Sequence, residues 1–284
     1  MIRESDFAGK HTAIHIGSTD GDGPVLLMLH GVTRRWQTFL PVMHALHLRW
    51  QVAAIDLRGH GFSGRVAEQY RVTNYVDDIV DLVERSPFGR VVLYGHSLGA
   101  MVAAGAAARL GDRVQAVVME DPPFRTMGPA IHSNILHSFF AGLSRFAGHR
   151  RSLNEVAREL GEIVLLDPAT GKKMLLRETR DSVALRFTAA SLQHVDPQVF
   201  NPILAGKWMD GYDTTAVVHA LKCPTLLLQA DVAAGGMLTD DDARLIADNT
   251  SDLVHIRLPG IGHVIHIAQT TQLVNLLTGF LESL

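Results

Sequence analysis

A serine within a Gly-x-Ser-x-Gly pattern is the residue of this sequence best suited to nucleophilic chemistry. Ser97 is the centre of Gly-His-Ser-Leu-Gly at 95–99, which follows the apolar segment 91–94 and precedes the alanine-rich segment 100–110. In this pattern a strand turns sharply into a helix, so the serine side chain projects at the end of the strand. The start of that helix also presents the Leu98 N–H, a natural hydrogen-bond donor to an oxyanion. The segment predicts a serine nucleophile.

A second segment supplies another backbone donor. His-Gly-Val at 30–32 follows the apolar segment Val25–Leu29. A glycine turn here lets the Val32 N–H point at the same oxygen as the Leu98 N–H, and a tetrahedral intermediate needs two such donors. A plain turn at the end of a strand is the alternative interpretation.

A histidine near the end of the chain is the predicted general base. Gly-Ile-Gly-His at 260–263 follows the last apolar segment, and His263 there can reach a serine at the same edge of a sheet. His266 is the alternative base. A metal site at His263 and His266 is a weaker interpretation, since no cysteine or acidic residue near them in the sequence completes it. We therefore predict no metal.

Short apolar segments, each ended by turn residues, indicate the elements that position these groups. They lack strict alternation, which is typical of strands buried on both faces of a parallel sheet. The predicted strands are 25–29, 52–55, 91–94, 114–119, 225–228 and 254–258. The predicted helices between and after them are 76–85, 100–110, 240–248 and 269–284. Strands that alternate with helices predict an α/β fold with a doubly wound, mostly parallel sheet.

The middle of the chain differs from the rest because it contains no convincing buried strand. Helical patterns occupy 130–146, 153–160, 172–192 and 197–204. We predict a core domain formed by residues 1–123 and 222–284, with residues 124–221 inserted as a helical cap.

Composition excludes several classes of protein. The chain has 284 residues, of which 47% are hydrophobic, and its net charge is −3, so it can form a large core and is not mainly disordered. No basic stripe is visible, so we predict no nucleic-acid partner. The single cysteine, Cys223, cannot form an internal disulfide. The sequence shows neither a signal peptide nor an apolar segment of membrane length, and we predict a cytoplasmic protein without a membrane partner.

Taken together, the motifs His-Gly, Gly-His-Ser-Leu-Gly and Gly-x-Gly-His resemble those of the α/β-hydrolase family. The segment 56–63 is also similar to that family's loop after an early strand. The resemblance implies an eight-stranded, mostly parallel sheet with a helical lid. It further implies Ser97 as nucleophile, His263 as base, and the Val32 and Leu98 N–H groups as the oxyanion hole.

The triad acid departs from the family's common pattern. By resemblance the usual position falls on Ala233, and Asp231 lies two residues earlier. A second arrangement in the family takes the acid from the end of the preceding strand, which is Asp121 here. Either carboxylate could orient His263; Asp121 is favoured because the usual position lacks a carboxylate, but both stay open. The adjacent Glu120 is expected to point the opposite way.

These features predict a serine hydrolase that acts on a small carboxylic ester or lactone without a cofactor, as a monomer or homodimer. Serine at position 97 argues against the dehalogenases and epoxide hydrolases of this fold, which use aspartate. The alternatives are a carbon–carbon bond (diketone) hydrolase, a cofactor-free perhydrolase, and a ligand receptor with little turnover.

The substrate pocket is predicted from aromatic residues near the motifs and in the cap. Its predicted residues are His30, Trp36, Phe124, Phe139 and Trp208. Arg34 and Arg35 could attract a carboxylate of the substrate, whereas solvated surface arginines are the simpler interpretation.

Overall fold

The computed structural model describes residues 1–21, 23–167 and 170–284. Its strands are β1 (Ile2–Ala8), β2 (Ala13–Thr19), β3 (Val25–Leu29), β4 (Gln51–Ile55), β5 (Val91–His96), β6 (Val114–Glu120), β7 (Val164–Leu166), β8 (Lys173–Leu175), β9 (Thr225–Ala230) and β10 (Leu253–Leu258). Eight of them form one sheet in the order β1-β2-β4-β3-β5-β6-β9-β10. The pairs from β4 to β10 are parallel, and β1 and β2 join antiparallel. The expected eight-stranded, mostly parallel sheet is confirmed.

Helices cover this sheet on both faces. They are α1 (Leu40–Leu46), α2 (Val72–Arg85), α3 (Leu98–Leu110), α4 (Phe124–Met127), α5 (Ile135–Ser144), α6 (Leu153–Gly161), α7 (Ser182–Leu192), α8 (Phe200–Leu204), α9 (Thr214–His219), α10 (Asp240–Asn249), α11 (Ile265–Ala268) and α12 (Thr270–Leu281). Among the described residues, no helix combines the length and the apolar character needed to cross a membrane.

Alternate residues of each central strand enter two separate hydrophobic cores. Leu27 belongs to the core that includes residues of α2 and α3, whereas Met28 belongs to the core that includes residues of α1 and α12. Both side chains are fully buried. Two buried faces explain why β3 reads as a continuous apolar segment.

Two strands at the start of the chain were not among the predicted six. β1 exposes most of its residues and buries only parts of Ile2 and Phe7, so it lacks a continuous apolar segment. β2 pairs with it antiparallel over seven residue pairs. An edge hairpin with one exposed strand does not follow the pattern used to find strands buried on both faces.

The region between β6 and β9 holds α4 to α9 and a small hairpin of β7 and β8. The predicted helix 172–192 is wrong in its first part, because β8 and a 3₁₀ turn at Leu176–Glu178 come before α7. Strands of three residues are too short to show a period of two. α9 packs against α3 and α10, so the end of the predicted cap lies against the core. The cap boundaries stay a prediction, and residues 168 and 169 within them lie outside the described residues.

Candidate active site

Ser97 lies at a sharp turn between β5 and α3. Its backbone has φ +55° and ψ −118°, which is unfavourable for a residue with a side chain. A Cβ atom on Gly95 would lie 2.0 Å from the carbonyl oxygen of Gly99, so the strand and the helix approach too closely for any other residue there. This is the strained turn that the Gly-x-Ser-x-Gly pattern predicts.

The backbone of Ser97 is held while its hydroxyl is available. The Ser97 N–H donates to the carbonyl oxygen of Glu120 at 2.9 Å, which ties the turn to the end of β6. Within the described residues the Ser97 hydroxyl makes no hydrogen bond. A nucleophilic role therefore requires His263 to close on this hydroxyl when substrate binds, as catalytic contacts often do.

His263 and Asp121 form a buried pair. His263 Nδ1 donates to Asp121 Oδ2 at 2.6 Å. The carboxylate also accepts from the backbone N–H groups of Met237 at 2.7 Å, Leu238 at 3.1 Å and Ala230 at 3.2 Å. Four donors hold this buried carboxylate in one place as an acceptor. Since Nδ1 of His263 carries the donated hydrogen, its Nε2 is the nitrogen that can take a proton.

Asp231, the alternative acid, is not brought to the His263 ring. Its carboxylate accepts from the N–H groups of Gly260 at 2.8 Å and Ala233 at 2.9 Å. The Gly260 bond, followed by the Ala233 bond, lowers the pKa of Asp231 below its usual value. Asp231 therefore fastens the turn that leads to His263, while Asp121 contacts the imidazole.

His96, the residue before Ser97, contacts the loop that carries His263. The rings of His96 and His263 lie 4.6 Å apart between centroids. His96 Nε2 donates to the carbonyl oxygen of His263 at 3.1 Å. Burial, followed by the charges of His263 and His266, holds the pKa of His96 well below its usual value, so its ring is neutral. This contact brings the turn of Ser97 and the loop of His263 together.

The turn after β3 packs directly against the turn of Ser97. A Cβ atom on Gly31 would lie 2.9 Å from Nδ1 of the His96 ring and 3.0 Å from the Cβ of Ser97, so a larger residue would displace the turn that carries Ser97. The Gly31 carbonyl oxygen accepts from the Arg34 N–H at 3.1 Å. Because a trans peptide points its C=O and N–H in opposite directions, the Val32 N–H faces away from this hydrogen bond. Neither the Val32 nor the Leu98 N–H has a hydrogen-bond partner among the described residues, so both are available as donors.

His30 supports this turn, although it was predicted to line the substrate pocket. Its Nε2 accepts from the Leu57 N–H at 3.0 Å, so Nδ1 carries the hydrogen and donates to the Gly31 carbonyl at 2.8 Å. The ring is fully buried. Burial, followed by His60, lowers the pKa of His30 well below its usual value and keeps it neutral. The prediction of His30 as a pocket residue is therefore replaced by a role in fixing the Gly31–Val32 peptide.

A cavity of 590 Å³ opens beside His263. It is lined by Arg34 and Gln37 after β3, by Arg180 and Phe187 of the segment around α7, and by residues on both sides of His263. This volume suits a small organic molecule. Arg180 and Phe187 were not among the predicted pocket residues, because the helical pattern of α7 does not tell which of its faces lines a cavity.

None of the five predicted pocket residues lines this cavity. Trp36 and Trp208 are buried in the cores, where Trp36 lies against Gly17. Phe124 stacks on Tyr212 at 6.2 Å, and Phe139 packs edge-on against Phe140 at 5.1 Å. These aromatic residues fill the interior, and their sequence positions did not distinguish core residues from residues that line a cavity.

His266, the alternative base, belongs to a separate buried network. Its Nδ1 donates to Glu120 at 3.0 Å, and Thr38 Oγ1 donates to its Nε2 at 2.9 Å. Tyr94 also donates to Glu120. Both ring nitrogens of His266 are thus engaged away from Ser97.

The same network contains ligand types that a metal could use. The ligand atoms of His96, Glu120 and His266 lie within 4.8 Å of one another among the described residues. The sequence analysis missed the acidic member because Glu120 lies far from His266 in the chain. Hydrogen bonds already occupy both Glu120 oxygens and both His266 nitrogens, and His96 Nε2 donates to the His263 carbonyl oxygen. Within the described part of the chain, His96 Nδ1 is the ring nitrogen of this cluster that is left without a partner.

Comparison with known proteins decides the family. The profile described as alpha/beta hydrolase fold matches residues 24–266. The chain belongs to the α/β-hydrolase family. Over its full length, this α/β hydrolase is similar in fold to the enol-lactonase from Burkholderia xenovorans LB400, with a TM-score of 0.75, 19% identity, and coverage of 98% of this chain and 100% of the other.

Two curated relatives resemble parts of this α/β hydrolase. The 2-(acetamidomethylene)succinate hydrolase of Mesorhizobium japonicum is 41% identical over 101 residues, 36% of each chain. The (E)-2-((N-methylformamido)methylene)succinate hydrolase of Acinetobacter baylyi is 27% identical over 95 residues, 34% of this chain and 36% of the relative. The chain thus spans about a third of the length of these two relatives.

Proposed function

We propose that this α/β hydrolase cleaves a carboxylic ester or lactone through an acyl-enzyme on Ser97. The observation that carries the proposal is the buried 2.6 Å hydrogen bond from His263 Nδ1 to Asp121, in a loop that His96 joins to the strained turn of Ser97. A histidine oriented in this way by a carboxylate is suited to remove the proton of a nearby serine.

The proposed reaction has two halves. His263 Nε2 takes the Ser97 hydroxyl proton while Oγ attacks the carbonyl carbon, and the carbonyl oxygen becomes an oxyanion facing the Val32 and Leu98 N–H groups. As the intermediate collapses, the alkoxide leaves with the proton from His263. Water then loses a proton to His263 and attacks the acyl carbon, and the second collapse returns the proton to Ser97 and releases the acid.

An amide substrate is the second candidate. The two curated relatives are named as hydrolases of acylaminomethylene succinates, compounds that contain an amide bond. The same groups suit this bond, because His263 would give its proton to the leaving nitrogen.

We also propose residues 124–221 as a cap over the site, since Arg180 and Phe187 of this segment line the cavity beside His263.

The first test measures release of p-nitrophenol from short and medium acyl esters by the wild type and by Ser97→Ala. The proposal expects sustained turnover that Ser97→Ala abolishes. Activity that survives Ser97→Ala would refute the acyl-enzyme. N-acetyl enamides of similar acyl groups, measured in parallel, separate the amide candidate from the ester.

The alternatives make different predictions in the same assay. A receptor would give one burst of product and almost no further turnover. A carbon–carbon hydrolase would be inactive on the esters and active on ring-cleavage diketones. A perhydrolase would form peracid from an ester and hydrogen peroxide. A sustained ester rate without peracid formation favours the esterase or lactonase.

A further inference from the structure

The cavity beside His263 carries positive charge that the proposed ester chemistry does not use. Arg34 and Arg180 both line it, one from the turn after β3 and the other from the segment just before α7. Ester hydrolysis by a serine needs only the triad and the two N–H donors. The two guanidinium groups therefore require a separate explanation.

Arg34 is held in place beside the oxyanion turn. Its N–H donates to Gly31, and its guanidinium carbon lies 5.4 Å from the centre of the Phe187 ring, also in the cavity wall. The side chain is partly buried. Burial, followed by the charge of Arg180, lowers the pKa of Arg34 to about 10, so it remains a cation at neutral pH.

Neither guanidinium forms an ion pair with a carboxylate of the described residues. Other arginines of the inserted region do: Arg151 pairs with Glu159 and Arg177 with Glu162. The acidic residue closest in sequence, Asp181, lines the same cavity, but its carboxylate caps α7 by accepting from the Ala184 N–H at 2.7 Å. Arg180 is exposed and donates to the Thr179 carbonyl oxygen at 3.3 Å, and Arg34 lies over the Phe187 ring. Among the described residues no carboxylate forms a hydrogen bond with either guanidinium, so a bound carboxylate would gain charge-assisted hydrogen bonds to both.

We propose that Arg34 and Arg180 form a carboxylate-binding subsite, so that the substrate carries a carboxylate in addition to its scissile ester, lactone or amide carbonyl. This inference rests on the proposed function. Guanidinium groups bind carboxylates with two parallel hydrogen bonds, which fixes orientation as well as charge. A carboxylate held there would place the scissile carbonyl relative to His263 in the same cavity.

The test compares two p-nitrophenyl esters of nearly equal shape, the hemiglutarate and the 5-methylhexanoate, after subtraction of the background rate with Ser97→Ala. The wild type is expected to prefer the hemiglutarate in kcat/KM. In Arg34→Met and Arg180→Met the ratio of the two kcat/KM values falls about 10- to 100-fold, as for the loss of a charge-assisted hydrogen bond. A ratio that stays unchanged in both variants overturns the subsite.

Arg186→Gln is the matched control. Arg186 lies on α7, is exposed and donates to Asn154 outside the cavity lining, so its removal changes the charge of the same helix without changing the subsite. The ratio should remain that of the wild type. An equal fall in Arg186→Gln would show a general charge effect and would overturn the proposal.

A binding measurement separates the subsite from the proposed chemistry. Glutarate titrated into Ser97→Ala by calorimetry should bind, and Ser97→Ala/Arg34→Met should bind it at least about tenfold more weakly. Glutarate binding without hydrolysis of any ester or enamide would support the subsite and refute the proposed function. Hydrolysis of the neutral ester without glutarate binding would support the proposed function and refute the subsite.

Discussion

Glu120 and Asp121 are joined by one peptide bond, yet their carboxylates hydrogen-bond to two different histidines. Asp121 accepts from His263 at 2.6 Å, and Glu120 accepts from His266 at 3.0 Å. Glu120 is the last residue of β6, and Asp121 follows it with a left-handed backbone, φ +47°. The chain therefore leaves the extended conformation between the two acids, and one carboxylate lies at the site while the other lies in the core. The sequence expectation that Glu120 points away from Asp121 agrees with this geometry.

The first prediction concerns the two acids between which the sequence did not decide. Asp121→Asn should lower kcat by about 10³- to 10⁴-fold, because an amide no longer stabilises the histidine in the required tautomer. Asp231→Asn should lower kcat by less than about tenfold, since it only loosens the turn at Gly260. Ester hydrolysis by both variants, with melting temperatures as a control for folding, checks this. The opposite ranking would make Asp231 the acid.

The second prediction concerns the stability of the Glu120 network. Glu120→Ala leaves the His266 N–H groups and the Tyr94 hydroxyl without their acceptor, and we expect a loss of about 3–5 kcal/mol in the free energy of unfolding. Tyr94→Phe removes a single hydrogen bond from the same carboxylate and should cost about 1 kcal/mol. Urea unfolding of the three proteins measures both. Equal losses would mean that the network does not depend on the carboxylate.

The sequence predicted which candidate site residues lie at the ends of buried strands. Ser97 and the Val32 turn each follow a continuous apolar segment, and such segments predict where parallel strands end together. The edge strand β1 was missed because most of its residues are exposed. The sequence therefore predicted the strands whose burial on both faces produces a continuous apolar segment.

The proposed acid and the residues that line the cavity depend on contacts between distant parts of the chain. The Asp121 carboxylate accepts hydrogen bonds from the N–H groups of Met237 and Leu238, which lie more than a hundred residues later in the chain. No local sequence pattern predicts such contacts. The predicted pocket residue Trp208 is a core residue instead, and Phe187 of α7 lines the cavity. Periodicity predicts that a helix has an apolar face, but not whether that face covers a core or a cavity.

A third prediction tests whether His30 fixes the oxyanion turn. His30→Ala removes the donor to the Gly31 carbonyl and frees the Gly31–Val32 peptide to rotate. We expect kcat to fall about 10- to 100-fold with little change in KM, because an oxyanion donor acts in the transition state. Asn can place an N–H where Nδ1 was, so His30→Asn should recover part of the loss. A rise in KM at constant kcat would instead indicate a role in substrate binding.

The last prediction is a pH-dependent stability of the β1–β2 hairpin. Burial alone would lower the pKa of His15, but hydrogen bonds from its ring to Asp6 and Glu4, both at 2.8 Å, outweigh this and raise the pKa above its usual value. Asp56 adds to the rise, and the edge of the Phe62 ring packs on the imidazole. The charged form is therefore favoured in the folded state.

A raised pKa means that this stabilisation is complete below the pKa of the unfolded chain and is lost as the pH rises through the higher folded pKa. His15→Asn should thus destabilise the protein more at about pH 5.5 than at about pH 9, as measured by urea unfolding at both values. The control is Glu4→Gln/Asp6→Asn, in which His15 has lost both carboxylate partners while burial still lowers its pKa and Asp56 still raises it. In this background the replacement of His15 should no longer destabilise the protein more at the lower pH. A wild-type difference that persists in this control would assign the pH dependence to groups other than these two carboxylates.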